Sequence, residues 1–471
     1  MRCLAVDFGS TYTKLTAIDG ARGGIVGTSA AFTTIATDVM AGFHEALERL
    51  HAQIGVFPYD EFLCCSSAGG GLAMVAVGLV PDLTAKAAKM AAESAGAKVL
   101  RTYSYELSDE ERADIHALNP DIVLLCGGTD GGNKEVILGN ARLLAAMDRD
   151  FSIIAAGNKS AARELDGILR ASGKRYVITK NVMPVFGTLD IEPARTCVRD
   201  IFIERIIEAK GLSKAQAMTE HAIIPTPLAV LQACELLSLG TGTTPGMGDF
   251  LAVDLGGATT DVYSMSKGEP SRDNVLIKGL PEPYCKRTVE GDLGMRYSAS
   301  FLLDAVGTDA VAEAAGVPCG EVSAWVAECA ARPETLAPQN SRERNMDEAL
   351  ARFAIAEAVK RHCGVMEKTF TPMGELFMLT GKDLTNVKSV VGIGGVLKNS
   401  ADPVAVLSGA TATPQTMGLG RMLPRSPRHY LDKRYIFSAM GLLKLVDPDL
   451  ALSILKQEIL PLPEGNDGIT Q

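Results

Sequence analysis

A short motif that occurs twice in this 471-residue chain constrains its fold more than any other feature. The first copy is Leu4-Ala-Val-Asp-Phe-Gly-Ser-Thr-Tyr-Thr-Lys14, and the second is Leu251-Ala-Val-Asp-Leu-Gly-Gly-Ala-Thr-Thr-Asp261. Six of the eleven aligned positions are identical. Each copy has the pattern of a buried strand, a turn of small residues and a second strand. The sequence therefore predicts two β-hairpins of the same design.

The turn of each hairpin has the composition of an anion-binding loop, in which backbone N–H groups converge on phosphate oxygens. The predicted phosphate ligands are the amides of Gly9, Ser10, Thr11, Gly256, Gly257 and Ala258, together with the hydroxyls of Thr259 and Thr260. Lys14 is a candidate for a point charge beside the phosphates, although a lysine at a strand end is more often a solvated surface residue. Either hairpin alone would more often be an ordinary turn, so the prediction depends on there being two.

One carboxylate follows each predicted first strand, at Asp7 and Asp254. Magnesium in nucleotide sites is bound by one or two carboxylates, several waters and the phosphates themselves. Asp7 and Asp254 are therefore the candidate metal and catalytic residues, holding Mg²⁺ or orienting water. Asp261 is a candidate for a supporting role.

Three further stretches complete a pattern when they are taken with the hairpins. Val390-Val-Gly-Ile-Gly-Gly-Val396 reads as a strand that ends in glycines, whereas Pro225 to Cys234 and Ile436 to Leu443 read as helices of small residues. The candidate nucleoside contacts are Gly392, Gly394 and Gly395. Taken in their order along the chain, the two hairpins and these three stretches resemble the phosphate, adenosine and connector motifs of the actin, sugar-kinase and heat-shock-chaperone ATPases. The resemblance implies a duplicated actin-like (ribonuclease H-like) α/β fold with two lobes around a nucleotide cleft.

The composition is that of an ordinary α/β protein, with 47% hydrophobic and 5% aromatic residues. The formal net charge of −10 disfavours nucleic acid and anionic membranes as partners, since both attract basic patches. Ten cysteines and six histidines are scattered without the spacing of a metal site. This favours reduced core thiols in a cytoplasmic protein. The chain enters a predicted strand at once, so no secretory signal is expected.

Between the first hairpin and the first connector, helices and strands alternate, which predicts an inserted, largely parallel sheet. The predicted helices are Thr84–Ala95, Ser108–Leu118, Lys134–Met147 and Lys159–Ala171, and the predicted strands are Lys98–Ser104, Asp121–Cys126, Phe151–Ala156 and Arg175–Thr179. The uncharged run from Phe62 to Pro81 is interpreted as a buried strand, a turn and a helix, because Gly69 to Gly71 are poor for a lipid-facing helix.

The glycine-rich loop from Cys126 to Asn133 follows one of these strands and precedes a helix. In open α/β sheets, ligands bind at the carboxyl ends of the strands, which is where this loop is predicted to lie. The loop matches neither the dinucleotide nor the P-loop fingerprint. A functional loop and a structural turn are equally compatible with its sequence.

We predict a first lobe at 1–240 with the inserted segment at about 84–182, and a second lobe at 241–434 with a helical insertion at about 301–370. A connector helix at 435–460 is expected to return to the first lobe, and 461–471 to form a frayed tail. Thr411 to Pro427 is expected to be a loop.

Within the superfamily, the chain most resembles the glutamate mutase L family (MutL or GlmL). The stretches that carry the likeness are Leu4 to Lys14, Leu124 to Asn133, Val253 to Thr260 and Val289 to Met295. The resemblance implies ATP and Mg²⁺ as cofactors, an adenosylcobalamin-dependent amino-acid mutase as partner, and an ATP-driven reactivating chaperone that releases damaged cobalamin. It leaves open which mutase is served and whether the chain forms a homodimer.

Two alternatives stay open on the same fold. A small-molecule kinase would need a general base, for which Asp130 and Asp292 are the candidates. An actin-like scaffold would keep the hairpins and polymerise with nucleotide.

Overall fold

The computed structural model describes residues 1–34, 38–67, 73–209, 212–371 and 374–463. The chain divides into two compact units, which are treated separately below. The first unit is Met1–Ala229 with Gly279–Pro281, and the second is Val230–Lys278 with Glu282–Gln471. Within the described ranges, no helix is both long and apolar enough to cross a membrane.

In the described ranges, the elements up to residue 239 are ten strands and eight α-helices. The strands are β1 (Arg2–Phe8), β2 (Tyr12–Asp19), β3 (Gly24–Phe32), β4 (Glu61–Ser66), β5 (Ala73–Gly78), β6 (Lys98–Ser104), β7 (Ile122–Leu125), β8 (Ser152–Ala155), β9 (Tyr176–Ile178) and β10 (Ile224–Pro225). The helices are α1 (Val39–Ile54), α2 (Lys86–Ser94), α3 (Asp109–Leu118), α4 (Glu135–Ala145), α5 (Ala162–Ala171), α6 (Glu192–Ala209), α7 (Ser213–Gln216) and α8 (Thr226–Leu239). A π-helical turn at Pro81–Ala85 and a 3₁₀ turn at Lys159–Ala161 precede α2 and α5.

The remaining elements belong to the second unit. The strands are β11 (Phe250–Leu255), β12 (Thr260–Met265), β13 (Val275–Lys278), β14 (Cys285–Glu290), β15 (Val365–Thr371), β16 (Gly374–Thr380), β17 (Ser389–Ile393), β18 (Arg428–Asp432) and β19 (Ile459–Pro461). The helices are α9 (Ala299–Val306), α10 (Thr308–Ala315), α11 (Cys319–Ala331), α12 (Arg342–His362), α13 (Gly395–Lys398), α14 (Pro403–Leu407), α15 (Pro414–Gly418), α16 (Phe437–Leu443) and α17 (Pro448–Glu458).

Each unit contains one sheet of the same topology. In the first unit the strand order is β10-β4-β1-β2-β3, with β1, β2 and β3 antiparallel and β4 and β10 added in parallel beside β1. In the second unit the order is β14-β12-β11-β17-β18-β19, with the same antiparallel meander, β17 and β18 added in parallel, and an extra edge strand. Numbered from each first strand, both sheets read 3-2-1-4-5, the order of a ribonuclease H-like domain. The predicted fold class, a duplicated actin-like α/β fold, is confirmed.

The inserted segment forms a third sheet, wholly parallel, with the order β6-β5-β7-β8-β9. All eight helices and strands predicted from its alternating pattern are present within a few residues. The prediction was wrong at Ala73–Gly78, which is the strand β5 and not a helix. This strand is central and apolar on both faces, so its sequence carries no alternation that would separate it from a buried helix.

Several predictions in the second unit need correction. The helix expected to run to Phe370 ends at His362, and Val365–Thr371 pairs with Gly374–Thr380 in a separate three-stranded sheet with β13. The loop predicted at 411–427 contains α15, and two helices, α16 and α17, occupy the place of one connector helix. Pro461 ends β19, whereas 464–471 lies outside the described residues, as does the stretch from Gly69 to Gly71, where a turn was predicted.

One hydrophobic core joins the first sheet to the insert. Leu4 and Phe8 point to the same face of β1, where they lie in one cluster with Phe43 of α1. The same cluster continues through Met74 of β5 and Ile122 of β7. Because side chains alternate across a strand, the odd-numbered residues of β1 lie on its opposite face. The hairpin and one face of the insert are therefore packed as a single body.

The second unit buries a lysine. Lys382 is fully inaccessible, and its amine donates to Ser264 O (3.2 Å), Ser264 Oγ (3.1 Å) and Tyr284 O (2.7 Å). His362 is also fully buried, and its Nε2 atom shares a hydrogen bond of 2.8 Å with Ser264 Oγ. Burial lowers the pKa of Lys382 to about 7 and lowers that of His362 well below its usual value.

We expect Lys382→Met to remove part of the pH dependence of stability. An unfolded lysine has a pKa of about 10.4, so between pH 7 and that value the unfolded chain binds more protons than the folded one. The wild-type free energy of unfolding should therefore rise with pH in this window, with a contribution from this group of up to about 1.4 kcal/mol per pH unit. Urea unfolding at a series of pH values measures the slope.

The matched control is Lys267→Met, which removes an exposed amine. It should keep the wild-type slope. Equal slopes in the wild type and in Lys382→Met would contradict the assignment.

Candidate functional site

The first hairpin is closed by a hydrogen bond across its turn, from Gly9 N to Tyr12 O at 3.2 Å. A Cβ on Gly9 would lie 2.6 Å from Tyr12 O, so glycine is required there. Within the described part of the chain, the backbone N–H groups of Ser10 and Thr11 have no acceptor. These two amides are open to an anion. The Gly9 and Gly256 amides, which were also predicted as phosphate ligands, instead close the two hairpins by bonding Tyr12 O and Thr259 O.

Asp7 lies directly before this turn and is held from three sides. Its carboxylate is almost inaccessible, and Oδ1 accepts a hydrogen bond from Thr226 Oγ1 at 2.7 Å. The Cys65 thiol also donates to Oδ1, at 3.6 Å, and Lys14 Nζ lies 3.7 Å from Oδ2. Burial, followed by the charge of Asp7, raises the pKa of Cys65 well above its usual value, which keeps the thiol protonated. These contacts fix the orientation of the Asp7 carboxylate.

Two chain segments on one side of β1 supply the Cys65 and Thr226 contacts. Strand β4 pairs in parallel with β1 and places Cys65 opposite Asp7. The connector helix α8 begins at Thr226, immediately after the short strand β10 has paired with β4. Sequence reasoning missed Thr226. The Pro225-Thr-Pro227 start of the connector was its one visible signal, because a threonine before proline is a common helix start.

The second hairpin repeats the closing bond, from Gly256 N to Thr259 O at 2.9 Å. Its turn carbonyls are all bound by residues 295–298. Met295 N donates to Gly256 O (3.1 Å), Arg296 N to Gly257 O (2.8 Å), and Ser298 Oγ to Ala258 O (2.9 Å).

A glycine makes this close contact possible. A Cβ on Gly294 would lie 2.3 Å from the carbonyl carbon of Ala258. Among the residues that the structure describes, the N–H groups of Gly257, Ala258 and Thr259 have no acceptor. The second turn thus offers amides to an anion while its carbonyls are occupied by the protein.

Asp254 shares its end of the sheet with the predicted nucleoside motif. Strand β17 pairs with β11 and sets Ile393 opposite Asp254. A Cβ on Gly394 would lie 2.4 Å from Leu255 O and 3.1 Å from Asp254 Oδ1, and φ there is +113°. Tyr435 OH donates to Asp254 Oδ2 at 3.4 Å. The structure therefore brings Asp254 and Gly394 together, and adds Tyr435, which sequence reasoning missed.

The other two glycines of the motif differ from each other. A Cβ on Gly392 would lie 3.0 Å from a methyl group of Leu397 and 3.1 Å from Leu407, so this glycine serves packing under the strand. Gly395 begins α13, and a Cβ there would meet nothing within 4 Å. Gly394 is therefore required by the close approach of Leu255 O, and Gly395 is the one of the three with open space at its Cβ position.

The threonines of the second turn are already hydrogen-bonded. Thr260 is fully buried, and its hydroxyl donates to Leu293 O at 2.6 Å. The Thr259 hydroxyl donates to Asp261 Oδ2 at 3.0 Å. Asp261 in turn forms an almost inaccessible ion pair with Arg287 NH2 at 2.6 Å. These groups fix the turn's shape, and Arg287 is a further residue that the sequence did not reveal.

The donor chemistry suits a hydrated metal bound with phosphates. In the described ranges, no three His, Cys, Asp or Glu side chains converge as they would around a structural metal. Each hairpin offers one carboxylate beside unbound amides. Because Mg²⁺ keeps several waters and binds phosphates, one carboxylate is sufficient. Asp254, which is partly exposed, fits direct or water-mediated binding better than the enclosed Asp7.

The two candidate kinase bases are engaged elsewhere. Both carboxylate oxygens of Asp292 accept from Arg361 NH1 at 2.9 Å. Asp130 belongs to the inserted segment, where it accepts from Asn181 Nδ2 and Lys159 N, each at 3.0 Å. Neither carboxylate is arranged as an available base beside a hairpin.

We expect Arg287→Met to destabilise the protein by about 3–5 kcal/mol, because Asp261 would remain buried without its partner. Chemical denaturation followed by circular dichroism measures the loss. The double variant Asp261→Leu, Arg287→Met should recover much of it, since an apolar pair avoids the stranded charge. An unchanged midpoint in Arg287→Met would show that the ion pair does not support the turn.

Comparison with known proteins gives structural and sequence likenesses. The activator of 2-hydroxyisocaproyl-CoA dehydratase from Clostridium difficile is 11% identical, with 98% of this chain and 100% of that chain covered and a TM-score of 0.30. A xylulose kinase from Lactobacillus acidophilus is 11% identical, with 98% and 93% covered and a TM-score of 0.34. Likenesses at this level carry no argument about fold or function.

The sequence likenesses are much stronger. Residues 3–459 match the family described as "MutL protein". "Protein MutL" from Clostridium tetanomorphum is 46% identical over 461 residues, which cover 97% of this chain and 99% of that protein. With so high an identity over almost the whole length of both proteins, the chain belongs to the MutL family.

Proposed function

We propose that this protein binds and hydrolyses ATP with Mg²⁺ and acts as a chaperone-like reactivating factor for an adenosylcobalamin-dependent amino-acid mutase, such as glutamate mutase. ATP-driven domain movement would release damaged cobalamin from the partner. Membership of the MutL family and the resemblance to the glutamate mutase L proteins support the choice of partner. The ten free cysteines agree with a cytoplasmic location.

One observation carries the nucleotide part of the proposal. The two hairpins have the same closing hydrogen bond, a carboxylate two residues before the closing glycine, and consecutive amides without acceptors among the described residues. They lie on two sheets of the same strand order. Hydrolysis of a nucleotide requires mainly that phosphates be positioned, neutralised and exposed to an oriented water. Duplicated amide loops with fixed carboxylates provide these functions.

The chain's own residues divide the work as follows. The amides of Ser10, Thr11, Gly257 and Ala258 would bind phosphate oxygens, and Lys14 would add a positive charge beside Asp7. Bound Mg²⁺ would supply charge neutralisation of the phosphates, with Asp254 as its partner. Asp7, oriented by Thr226, would hold a water molecule. Gly394, beside Asp254, and Gly395, whose Cβ position is open, would lie against the nucleoside.

The first test measures ATP hydrolysis by the pure protein, with and without a cobalamin-inactivated amino-acid mutase. We expect hydrolysis to be stimulated by the inactivated mutase and to fall about a hundredfold or more in Asp254→Ala, because a group that acts on the transferred phosphate is lost. Asp109→Asn, at an exposed carboxylate in α3, is the control and should retain wild-type activity.

Two results would redirect the proposal. Hydrolysis that ignores every mutase but rises with a small hydroxylated metabolite would indicate a kinase, and nucleotide-dependent light scattering would indicate a scaffold. Absence of Mg-ATP binding would exclude the nucleotide role of both hairpins.

A second test addresses Thr226. Thr226→Val keeps the shape of the side chain but removes the 2.7 Å hydrogen bond to Asp7. A hydrogen bond to a charged group is worth about 1.5–3 kcal/mol, so kcat/KM for ATP should fall by roughly ten- to hundredfold. Thr226→Ser retains the hydroxyl and should retain most activity. Equal losses in both variants would show that packing, and not the hydrogen bond, is what matters.

A further inference from the structure

The inserted sheet has an open cavity of about 580 Å³ at its carboxyl edge. Ala155 and Ile178, the last residues of β8 and β9, lie in its wall. Small-molecule sites commonly have volumes of about 300–1,000 Å³ and occur at this edge of open α/β sheets. The cavity lies entirely within the first unit and includes none of the residues assigned above to nucleotide binding.

The cavity lies beside β8 and β9 because the usual ligand position is filled. Numbered from β5, the insert has the order 2-1-3-4-5, whose switch point lies between β5 and β7. There the turn at Pro81–Ala85 approaches so closely that a Cβ on Gly78 would lie 2.3 Å from Ala85 N. A Cβ on Gly127 would contact Leu79 and Ile137. The free space is therefore displaced toward the last two strands.

One wall of the cavity is a rigid glycine loop. Asn158, 1% exposed, donates to Gly132 O at 2.9 Å and accepts from Gly131 N at 3.0 Å. Asn181, 3% exposed, donates to Gly128 O and to Asp130 Oδ1, each at 3.0 Å. The loop from Cys126 to Asn133 is thus held in place by two buried asparagines and forms one wall of the cavity.

Four charged side chains line the cavity, and two of them are already paired with each other. Asp130 is already neutralised, with Lys159 Nζ 3.7 Å from its Oδ2 atom. Burial opposes the ionisation of Asp130, but hydrogen bonds from Asn181 and Lys159 outweigh it and lower the pKa. In contrast, Lys180 and Asp190 both line the cavity, and within the described residues neither side chain has a hydrogen-bond or ion-pair partner. The Thr179 hydroxyl beside them is equally unbonded.

Apolar side chains form the rest of the lining, from Ala155, Ala162, Leu165, Ile178 and Pro184. Lys180 is exposed and Asp190 is half-buried. A ligand that pairs with both would carry a negative and a positive group, and apolar atoms elsewhere in it would cover the apolar part of the lining. A phosphate or a polyanion would be repelled by Asp190. A simple amine would form no ion pair with Lys180.

We propose that this cavity binds a small zwitterion of the α-amino-acid class with an apolar side chain, its carboxylate at Lys180 and its ammonium at Asp190. The site goes beyond the proposed nucleotide function and uses none of its residues. Binding of such a ligand at the insert would stabilise the first unit, because a ligand that binds only the folded state raises its stability.

The test uses isothermal titration calorimetry on the full chain without nucleotide or partner, so its outcome does not depend on ATP hydrolysis. The probes are L-leucine, L-isoleucine, L-methionine and L-phenylalanine. Two analogues of leucine are compared with it: 4-methylpentanoate, which lacks the ammonium group, and 3-methylbutylamine, which lacks the carboxylate. We expect at least one amino acid to bind saturably at millimolar concentration, and leucine to bind about tenfold tighter than either analogue.

Charge-specific variants identify the two contacts. Lys180→Gln should weaken leucine binding about tenfold and leave 3-methylbutylamine unaffected. Asp190→Asn should weaken leucine binding by a similar factor and leave 4-methylpentanoate unaffected. The matched control is Lys98→Gln, at the start of β6 and hence on the opposite edge of the same sheet, which should bind leucine as the wild type does.

The proposal is overturned if none of the four amino acids binds. It is also overturned if the analogues bind as tightly as leucine, or if Lys98→Gln weakens binding as much as Lys180→Gln.

Discussion

The hydrogen bonds that residues 295–298 donate to the second hairpin's turn determine what that turn can do. The carbonyls of Gly256, Gly257 and Ala258 are bound by the protein and the Gly256 N–H closes the hairpin, so the N–H groups of Gly257 and Ala258 are left to meet a ligand. An amide loop with its carbonyls fixed in this way binds anions without first rearranging, so less conformational entropy is lost on binding. Much of the unit serves this arrangement, including Gly294, the Asp261–Arg287 pair and the buried Thr260 hydroxyl.

The two hairpins have diverged at one informative position. Lys14 and Asp261 occupy the same place in the two registers, opposite Asp7 and Asp254 respectively. Lys14 places a positive charge beside Asp7 in the first unit. In the second unit Asp261 instead forms an ion pair with Arg287, which supports the fold. The backbone of the loop is therefore the same in both units, while the surrounding charges differ.

Sequence reasoning succeeded where a pattern is local and failed where a contact joins distant segments. The Asp-x-Gly turns, the alternating insert and the glycine-ended strand β17 are each visible within about ten residues. Thr226, Arg287 and Tyr435 are separated from their carboxylate partners by 219, 26 and 181 residues, so only the fold reveals them. The error at β5 has a similar cause, because a strand covered on both faces lacks the alternation that identifies half-buried strands.

The core that joins β1 to the insert has a consequence for how the first unit opens. Leu4 and Phe43 belong to the same packed cluster as Met74 and Ile122, so the insert is not a separately hinged module. Local unfolding usually follows such contiguous packed units. The backbone amide hydrogens of the first hairpin and those of β7 should then exchange with solvent in shared opening events. Replacing the insert with another fold would require new packing against the face of β1 that carries Leu4.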